Sequence, residues 1–151
     1  MIALIQRIKS ASLTADGTPF SAVGRGFLVY LGVASGDVDA DAEALAGKIF
    51  NLRVFEDENG KMNLSLTQIG GEILAVSNFT LLANCRHGNR PDFFGAEKPD
   101  EADRLYKLFV DRLKSAGAKV STGVFGADMQ ITSVADGPVN IIIDSADLKK
   151  H

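Results

Sequence analysis

The sequence predicts an α+β fold, a largely antiparallel β-sheet with two main helices. Three observations predict it. Apolar extended runs open, divide and close the chain, two stretches keep their apolar residues at helical spacing, and the order is strands, helix, strands, helix, strands. At 151 residues the chain has the length of one domain, predicted over residues 1–145, with a polar tail at 146–151 expected to fray.

Residues 2–8 alternate loosely and are rich in Ile and Leu. A second run, 12–15, stops at Asp16-Gly17, a tight-turn dipeptide, so a hairpin-like start is expected. Gly24-Arg25-Gly26 introduces the continuous apolar run 27–33, predicted to be a central strand buried on both faces. Asp37 is expected to cap a helix over 38–52, whose Leu45, Ile49 and Leu52 fall at i, i+4 and i+7. The acidic run 56–60 lacks a bidentate Glu at calcium-loop distance and reads as a turn.

Residues 72–79 read as a second buried strand, ending at Ser77-Asn78-Phe79-Thr80-Leu81. Regular pattern then vanishes over 82–98, a length that marks this loop as the wall of a site. Pro99 opens a second helix in which Ala102, Leu105, Tyr106, Phe109 and Leu113 keep helical spacing until Gly117 stops it. Extended runs at 119–125, 128–135 and 139–143 close the chain, the last two separated by Asp136-Gly137-Pro138.

Composition narrows the function. With 46% hydrophobic and 23% charged residues the chain is globular in type, and no apolar run approaches the length of a membrane span. A single cysteine, Cys85, fits a reducing compartment, and with no export signal a cytoplasmic location is expected. A net charge of −3 argues against a grip on long stretches of nucleic acid but allows a short contact with an end. Positive density at residues 6–9 and 86–90 reads first as solvated surface and by itself decides nothing.

The chain lacks both GxxxxGK[ST] and GxGxxG, and one Cys with two His cannot assemble a zinc set without carboxylates. No metal and no cofactor is expected. Cys85 and His87, two apart in a loop, are poorly spaced for a nucleophile pair, and no His is an obvious base for Ser77 or Thr80. Those hydroxyls either serve a site or bond the strand end. Backbone chemistry remains: a strand opening into a loop can leave N–H groups for an oxyanion, and Gly137-Pro138 can present bare carbonyls to an ammonium. Asp136-Gly137-Pro138 also reads as a plain turn between two strands.

These segments resemble the D-aminoacyl-tRNA deacylases, first named D-tyrosyl-tRNA deacylases. The likeness runs from Met1 to about Ser145 through Met1-Ile2-Ala3-Leu4-Ile5-Gln6-Arg7, Asn51-Leu52-Arg53-Val54-Phe55 and Gly60-Lys61-Met62-Asn63-Leu64. Its most specific parts are Ser77-Asn78-Phe79-Thr80-Leu81, similar to the family's Ser-Gln-Phe-Thr-Leu, and Asp136-Gly137-Pro138-Val139-Asn140, similar to Asp-Gly-Pro-Val-Thr. Arg90-Pro91-Asp92-Phe93 and Phe125-Gly126-Ala127-Asp128-Met129 are similar to further family stretches.

The resemblance implies the family's barrel-like α+β subunit, a homodimer, and removal of D-amino acids or misplaced glycine from the 3′ end of tRNA. It implies that the Gly137-Pro138 bond is cis and reaches into the partner's site, with Val139 and Asn140 beside it and Arg7 supporting it. It carries Ser77, Phe79 and Thr80 over to the pocket around the ester and terminal adenosine, Asn78 being a further substrate-binding candidate; the chemistry then expects the Phe79 and Thr80 N–H groups to bind the oxyanion. Asn78 and Asn140 depart from the family's Gln and Thr. A non-catalytic nucleic-acid-binding protein and an esterase of small D-amino-acid compounds are the competing readings.

Overall fold

The structure of the protein, a computed structural model, describes residues 1–149. Its elements are β1 (Ile2–Ala15), β2 (Thr18–Val23), β3 (Gly26–Gly32), α1 (Asp39–Phe50), β4 (Arg53–Glu56), β5 (Met62–Ser65), β6 (Glu72–Ser77), α2 (Pro99–Ser115), β7 (Lys119–Thr122), β8 (Met129–Asp144) and α3 (Ser145–Leu148). The main sheet runs β2-β1-β3-β6-β7, and β8 adds to the other edge of β1. β1 pairs antiparallel with β2, β3 and β8, whereas β3–β6 and β6–β7 are parallel. The parallel pairs arise because α1 with the β4–β5 hairpin, and then α2, serve as crossovers.

The expected hairpin start is present. Asp16 and Gly17 have φ values of 49° and 80°, the positive pair that a type I′ turn requires. Residues 2–8 and 12–15 are nevertheless one strand, because β8 pairs along both stretches. The Ser21 hydroxyl on β2 donates to the Thr122 carbonyl on β7, drawing the sheet's two ends together into a barrel-like form.

β3 explains its continuous apolar run by alternation. Phe27, Val29 and Leu31 pack with Leu45, Ile49, Leu105 and Phe109 of the helices. Leu28 faces the other way, into a second core with Ile8, Leu13, Val23 and Leu74. Both faces are buried, so polar residues have no place on it.

Three expectations change. Val38, not Asp37, precedes α1, and the Asp41 carboxylate accepts from the Val38 N–H at 2.9 Å. Asp37 instead accepts from the Ala34 N–H and the Met1 ammonium, at 2.7 and 2.9 Å. Asp136-Gly137-Pro138 does not separate two strands: Gln6 opposes Asn140 and Ile8 opposes Ala135, so residues 136–139 bulge from one continuous β8. A reversing turn is impossible there, because both flanks run antiparallel to the same strand. The tail expected to fray forms α3, capped by Asp144, whose side chain accepts from the Ala146 N–H at 2.9 Å. Lys150 and His151 lie outside the described residues.

α3 is held by a buried polar cluster. The Ser145 hydroxyl donates to Asp41 at 2.7 Å, and the Lys149 ammonium lies 2.7 Å from the same carboxylate oxygen. Burial pushes the Asp41 carboxyl up, but bonds from Lys149, the Val38 N–H and Ser145 outweigh it and hold the value down at about 2. A folded value below that of the unfolded chain means stabilisation that is complete above about pH 4 and lost as pH falls toward 2, worth about 2 kcal/mol. Asp41→Asn is therefore expected to be less stable than the parent in urea melts at pH 6, with the difference closing as the pH is lowered from 4 to 2.

Candidate active site

A cleft of about 540 Å³ opens where β6 ends. That volume suits a small-molecule-sized group. Its floor is Ser77, Asn78 and Phe79. One wall is Phe93, Ala96 and Glu97 from the irregular segment 83–98, and the opposite wall is the stretch 125–127 with Met129.

Each part is positioned by the sheet. The Asn78 N–H donates to the Leu31 carbonyl of β3 at 2.8 Å, the last rung of the parallel pair. The chain then turns into a 3₁₀ segment, Phe79–Leu82, so the strand expected to reach residue 79 stops at Ser77. From below, the Tyr106 hydroxyl of α2 donates to the Ala75 carbonyl at 2.7 Å, and burial pushes that phenol up to about 12. The long segment is tied down by the Ser35 N–H to Gly95 carbonyl bond and the Glu97 N–H to Val33 carbonyl bond, both 2.9 Å. Glu97 accepts from the Lys98 and Gly36 N–H groups, which hold its carboxyl below the usual range, so its charge stabilises the wall.

Asn78 takes a specific local role. Its Oδ1 accepts from the Thr80 N–H at 3.2 Å and from the Thr80 hydroxyl at 2.5 Å. The Thr80 N–H is thus already bonded, and Thr80 itself does not line the cleft. The Phe79 N–H opens the 3₁₀ turn, where no intrahelical acceptor exists. The Phe79 ring is 57% exposed and meets Phe93 edge-on, with centroids 5.0 Å apart.

The second predicted group lies elsewhere. Gly137 and Pro138 are joined by a cis peptide bond and stand exposed on the bulge of β8, outside the cleft's lining. Val139 is half-buried and Asn140 exposed, where β8 rejoins β1. Gly137 has φ +150°, and an added Cβ would sit 2.3 Å from the Val139 nitrogen, so only glycine fits. Arg7, buried, anchors the base of the bulge. Its Nε donates to the Asp136 carbonyl at 3.0 Å and lies 3.4 Å from the Asp136 carboxylate, while its Nη1 donates to the Val54 carbonyl at 2.7 Å. The residues thus form two groups within one chain, Ser77 to Thr80 at the cleft and Arg7 with 136–140 on the outer strand.

Comparison with known proteins settles the kinship. The family model described as D-Tyr-tRNA(Tyr) deacylase matches residues 4–144. The chain belongs to the D-Tyr-tRNA(Tyr) deacylase family. The D-aminoacyl-tRNA deacylase of Geobacter sulfurreducens is 51% identical over 145 residues, covering 96% of this chain and 95% of that one. That of Thermus aquaticus is 51% identical over 147 residues, with 97% of each chain covered. Among solved structures, the c-Myc DNA Unwinding Element Binding Protein superposes with a TM-score of 0.90 at 41% identity, covering 95% of this chain and 98% of that one. A probable eukaryotic D-amino acid tRNA deacylase shares the fold at a TM-score of 0.81 and 17% identity, covering the same shares.

In this deacylase-family subunit, Asn78, where the family pattern has Gln, spends its shorter amide on its own turn. Sequence reasoning marked 125–129 by its family resemblance but gave it no place in the site. Its signal was present in Gly123, which cuts the expected strand 119–125 short after Thr122, and in Gly126 just beyond that range. Cys85 and His87 are exposed in the long segment, away from the cleft's lining.

Gly32 governs how closely the Asn78–Leu82 turn can approach β3, since an added Cβ would lie 2.5 Å from Leu82 Cδ2 and 3.0 Å from the Asn78 carbonyl oxygen. Gly32→Ala is expected to shift the amide NMR signals of Asn78, Phe79 and Thr80 more than those of α1, and to cost about 1–3 kcal/mol in urea melts.

Proposed function

We propose that the protein hydrolyses the ester that joins a D-amino acid, or misplaced glycine, to the 3′ end of tRNA, as a homodimer whose Gly137-Pro138 bulge enters the partner's cleft. About 50% identity to D-aminoacyl-tRNA deacylases over nearly the whole chain carries the hydrolase assignment. The dimer rests on β8. That strand is 16 residues long and, among the described residues, pairs only with β1, and its Val134 and Ile142 are 51% and 73% exposed. A long unpaired apolar edge invites another chain, and a second copy covering it places each Gly-Pro bulge beside the other subunit.

Handedness follows from main-chain geometry. Both enantiomers carry the same ammonium, ester and ribose, so a pocket that fixes those three leaves only the side-chain direction to differ. With the ammonium on Gly137 and Pro138 carbonyls, an L side chain meets rigid backbone and a D side chain points outward. Glycine passes, and no pocket for the side chain is needed.

The chemistry asked of the subunit is mild. Water attacks the ester carbonyl, the C–O bond to the ribose breaks, and the ribose oxygen leaves with a proton. The Phe79 N–H is the first donor to the oxyanion, worth about 3 kcal/mol, and the Thr80 N–H joins when the carbonyl oxygen displaces Asn78 Oδ1. The Thr80 hydroxyl donates to Asn78 and has no His beside it among the described residues, so it is not set up as a nucleophile. The neighbouring 2′-hydroxyl of the substrate is the group at hand to orient the water. The small-ester reading keeps the same cleft without the RNA. The nucleic-acid-binding reading has the name of one 41% identical structure on its side, but the family model, the deacylases about 50% identical over nearly the whole chain and the net charge of −3 weigh against it.

D-Tyr-tRNA is expected to be deacylated at least 100-fold faster than L-Tyr-tRNA, by a protein of dimeric mass in light scattering. Pro138→Ala should narrow that ratio mainly by admitting the L substrate. Equal cleavage of both isomers by the parent protein overturns the reading, and faster cleavage of D-tyrosine ethyl ester than of D-Tyr-tRNA favours the small esterase. Thr80→Ala is expected to retain turnover within about tenfold, whereas abolished turnover with acyl-protein seen in the parent by mass spectrometry would favour a covalent route.

A further inference from the structure

The segment between the 3₁₀ turn and α2 carries charge and an aromatic ring that the proposed chemistry leaves unused. Residues 85–91 hold Arg86, His87 and Arg90 with no carboxylate among them, and every one is exposed. Of the chain's seven arginines, five are engaged. Arg7 meets Asp136, Arg25 lies over the Phe55 ring, Arg53 bonds Asn63, Arg104 meets Glu101 and Asp39, and Arg112 meets Glu43. Among the described residues, Arg86 and Arg90 alone of the arginines have no side-chain partner, and they are four residues apart in one loop. Phe94 follows, 91% exposed and without a ring partner, directly after Phe93, which lines the cleft.

The loop is held in place. Asn84 and Asp92 exchange backbone bonds of 2.9 and 3.0 Å across its neck, and Asp92 turns its carboxylate inward to the Phe94 N–H at 3.4 Å. The acidic side chains next along the chain, Asp92 and Glu97, accept from backbone donors, so residues 85–91 carry positive charge alone on a chain whose net charge is −3.

We infer that this loop grips the single-stranded RNA leading into the cleft, Arg86 and Arg90 on its phosphates and Phe94 stacked on a base next to the terminal adenosine. The inference deepens the deacylase reading and rests on it. An RNA strand suits the combination because two unpaired guanidiniums match phosphate oxygens, while an exposed ring offers a sequence-tolerant platform for a base. It also reconciles an acidic protein with a polyanionic substrate: a contact of two phosphates needs only a local patch.

The test compares D-Tyr-tRNA with 3′-O-D-tyrosyl-adenosine, which lacks the upstream strand, and adds anisotropy with a labelled uncharged acceptor hairpin ending in single-stranded CCA. Arg86→Ala/Arg90→Ala is expected to lose about tenfold or more in kcat/KM on D-Tyr-tRNA, and to flatten its log–log salt dependence by about 1.4, at ~0.7 per phosphate contact. Hydrolysis of the adenosine ester should stay unchanged. Phe94→Ala should lose about tenfold on the tRNA alone, and Phe94→Trp should restore it. Equal losses on both substrates, or an unchanged salt slope and unchanged hairpin affinity, overturn the inference. So does a fall to half the parent mass in light scattering, which assigns the loop to contact between copies. Parent protein that cleaves neither substrate sinks the deacylase reading instead, and the hairpin affinities still decide whether the loop holds RNA.

Discussion

Pairing of β1 along both of its edges is the constraint on which the rest depends. One edge meets β3 through residues 2–8 and β2 through residues 11–15, while the other meets β8 throughout. Serving two partners in succession makes β1 bend, and that bend carries β2 round to β7 and closes the barrel-like sheet. Because β1 offers an unbroken template, β8 cannot reverse at residues 136–138 and must bulge. The Gly-Pro segment is therefore displayed on the outer strand, directly opposite Arg7. A buried guanidinium needs full satisfaction, and Arg7 finds it in the Asp136 and Val54 carbonyls and the Asp136 carboxylate. The requirement to satisfy one buried cation thus fixes the base of the bulge.

The cleft follows from the other side of the same sheet. The parallel β3–β6 pair ends with the Asn78 N–H on the Leu31 carbonyl, and the chain leaves at the carboxyl end of the strand. Parallel strands there are covered by α1 and α2, so their ends are wet while their middles are dry, the usual setting for a binding crevice. Gly32 lets the following turn approach, Tyr106 pins β6 beneath it, and Phe79 and Phe93 support one another at the rim. What this gathers is mostly main chain and apolar surface, consistent with a reaction in which the ester is already activated and positioning supplies the gain.

Legibility in the sequence divided along local and long-range lines. The Asp16-Gly17 turn, the doubly buried β3, Pro99 and the helical spacing of α2, and the patternless stretch 82–98 were all readable, because each is decided by residues near in sequence. The bulge in β8 was not. Asp136-Gly137-Pro138 has the composition of a turn, and only the partner strand, some 130 positions away, forbids the reversal. Asp37 looked like a helix cap but is drawn off by the Met1 ammonium, and α3 forms on a polar tail because Asp41, a hundred residues earlier, receives Ser145 and Lys149. The motif residues of the candidate site were legible by resemblance, whereas their division into two groups needed coordinates.

That division bears on why backbone, and not a side chain, is the sensible material for a chiral filter. A side chain that contacts a substrate's side chain must be shaped to it, so it selects one amino acid as well as one hand. Carbonyls in a bulge whose glycine admits no Cβ have neither rotamers nor length to vary, and they can reject by direction alone. In the proposed dimer, supplying them from a neighbouring subunit also separates two demands. The cleft-forming turn is tuned to its own strand through Asn78, and the bulge is tuned to Arg7, with no loop in one chain having to satisfy both. In the proposed reading the dimer interface is then part of the site: what holds the two β8 strands together also sets the distance between filter and oxyanion donor, and a change at that interface is felt as a loss of handedness before it is felt as a loss of fold.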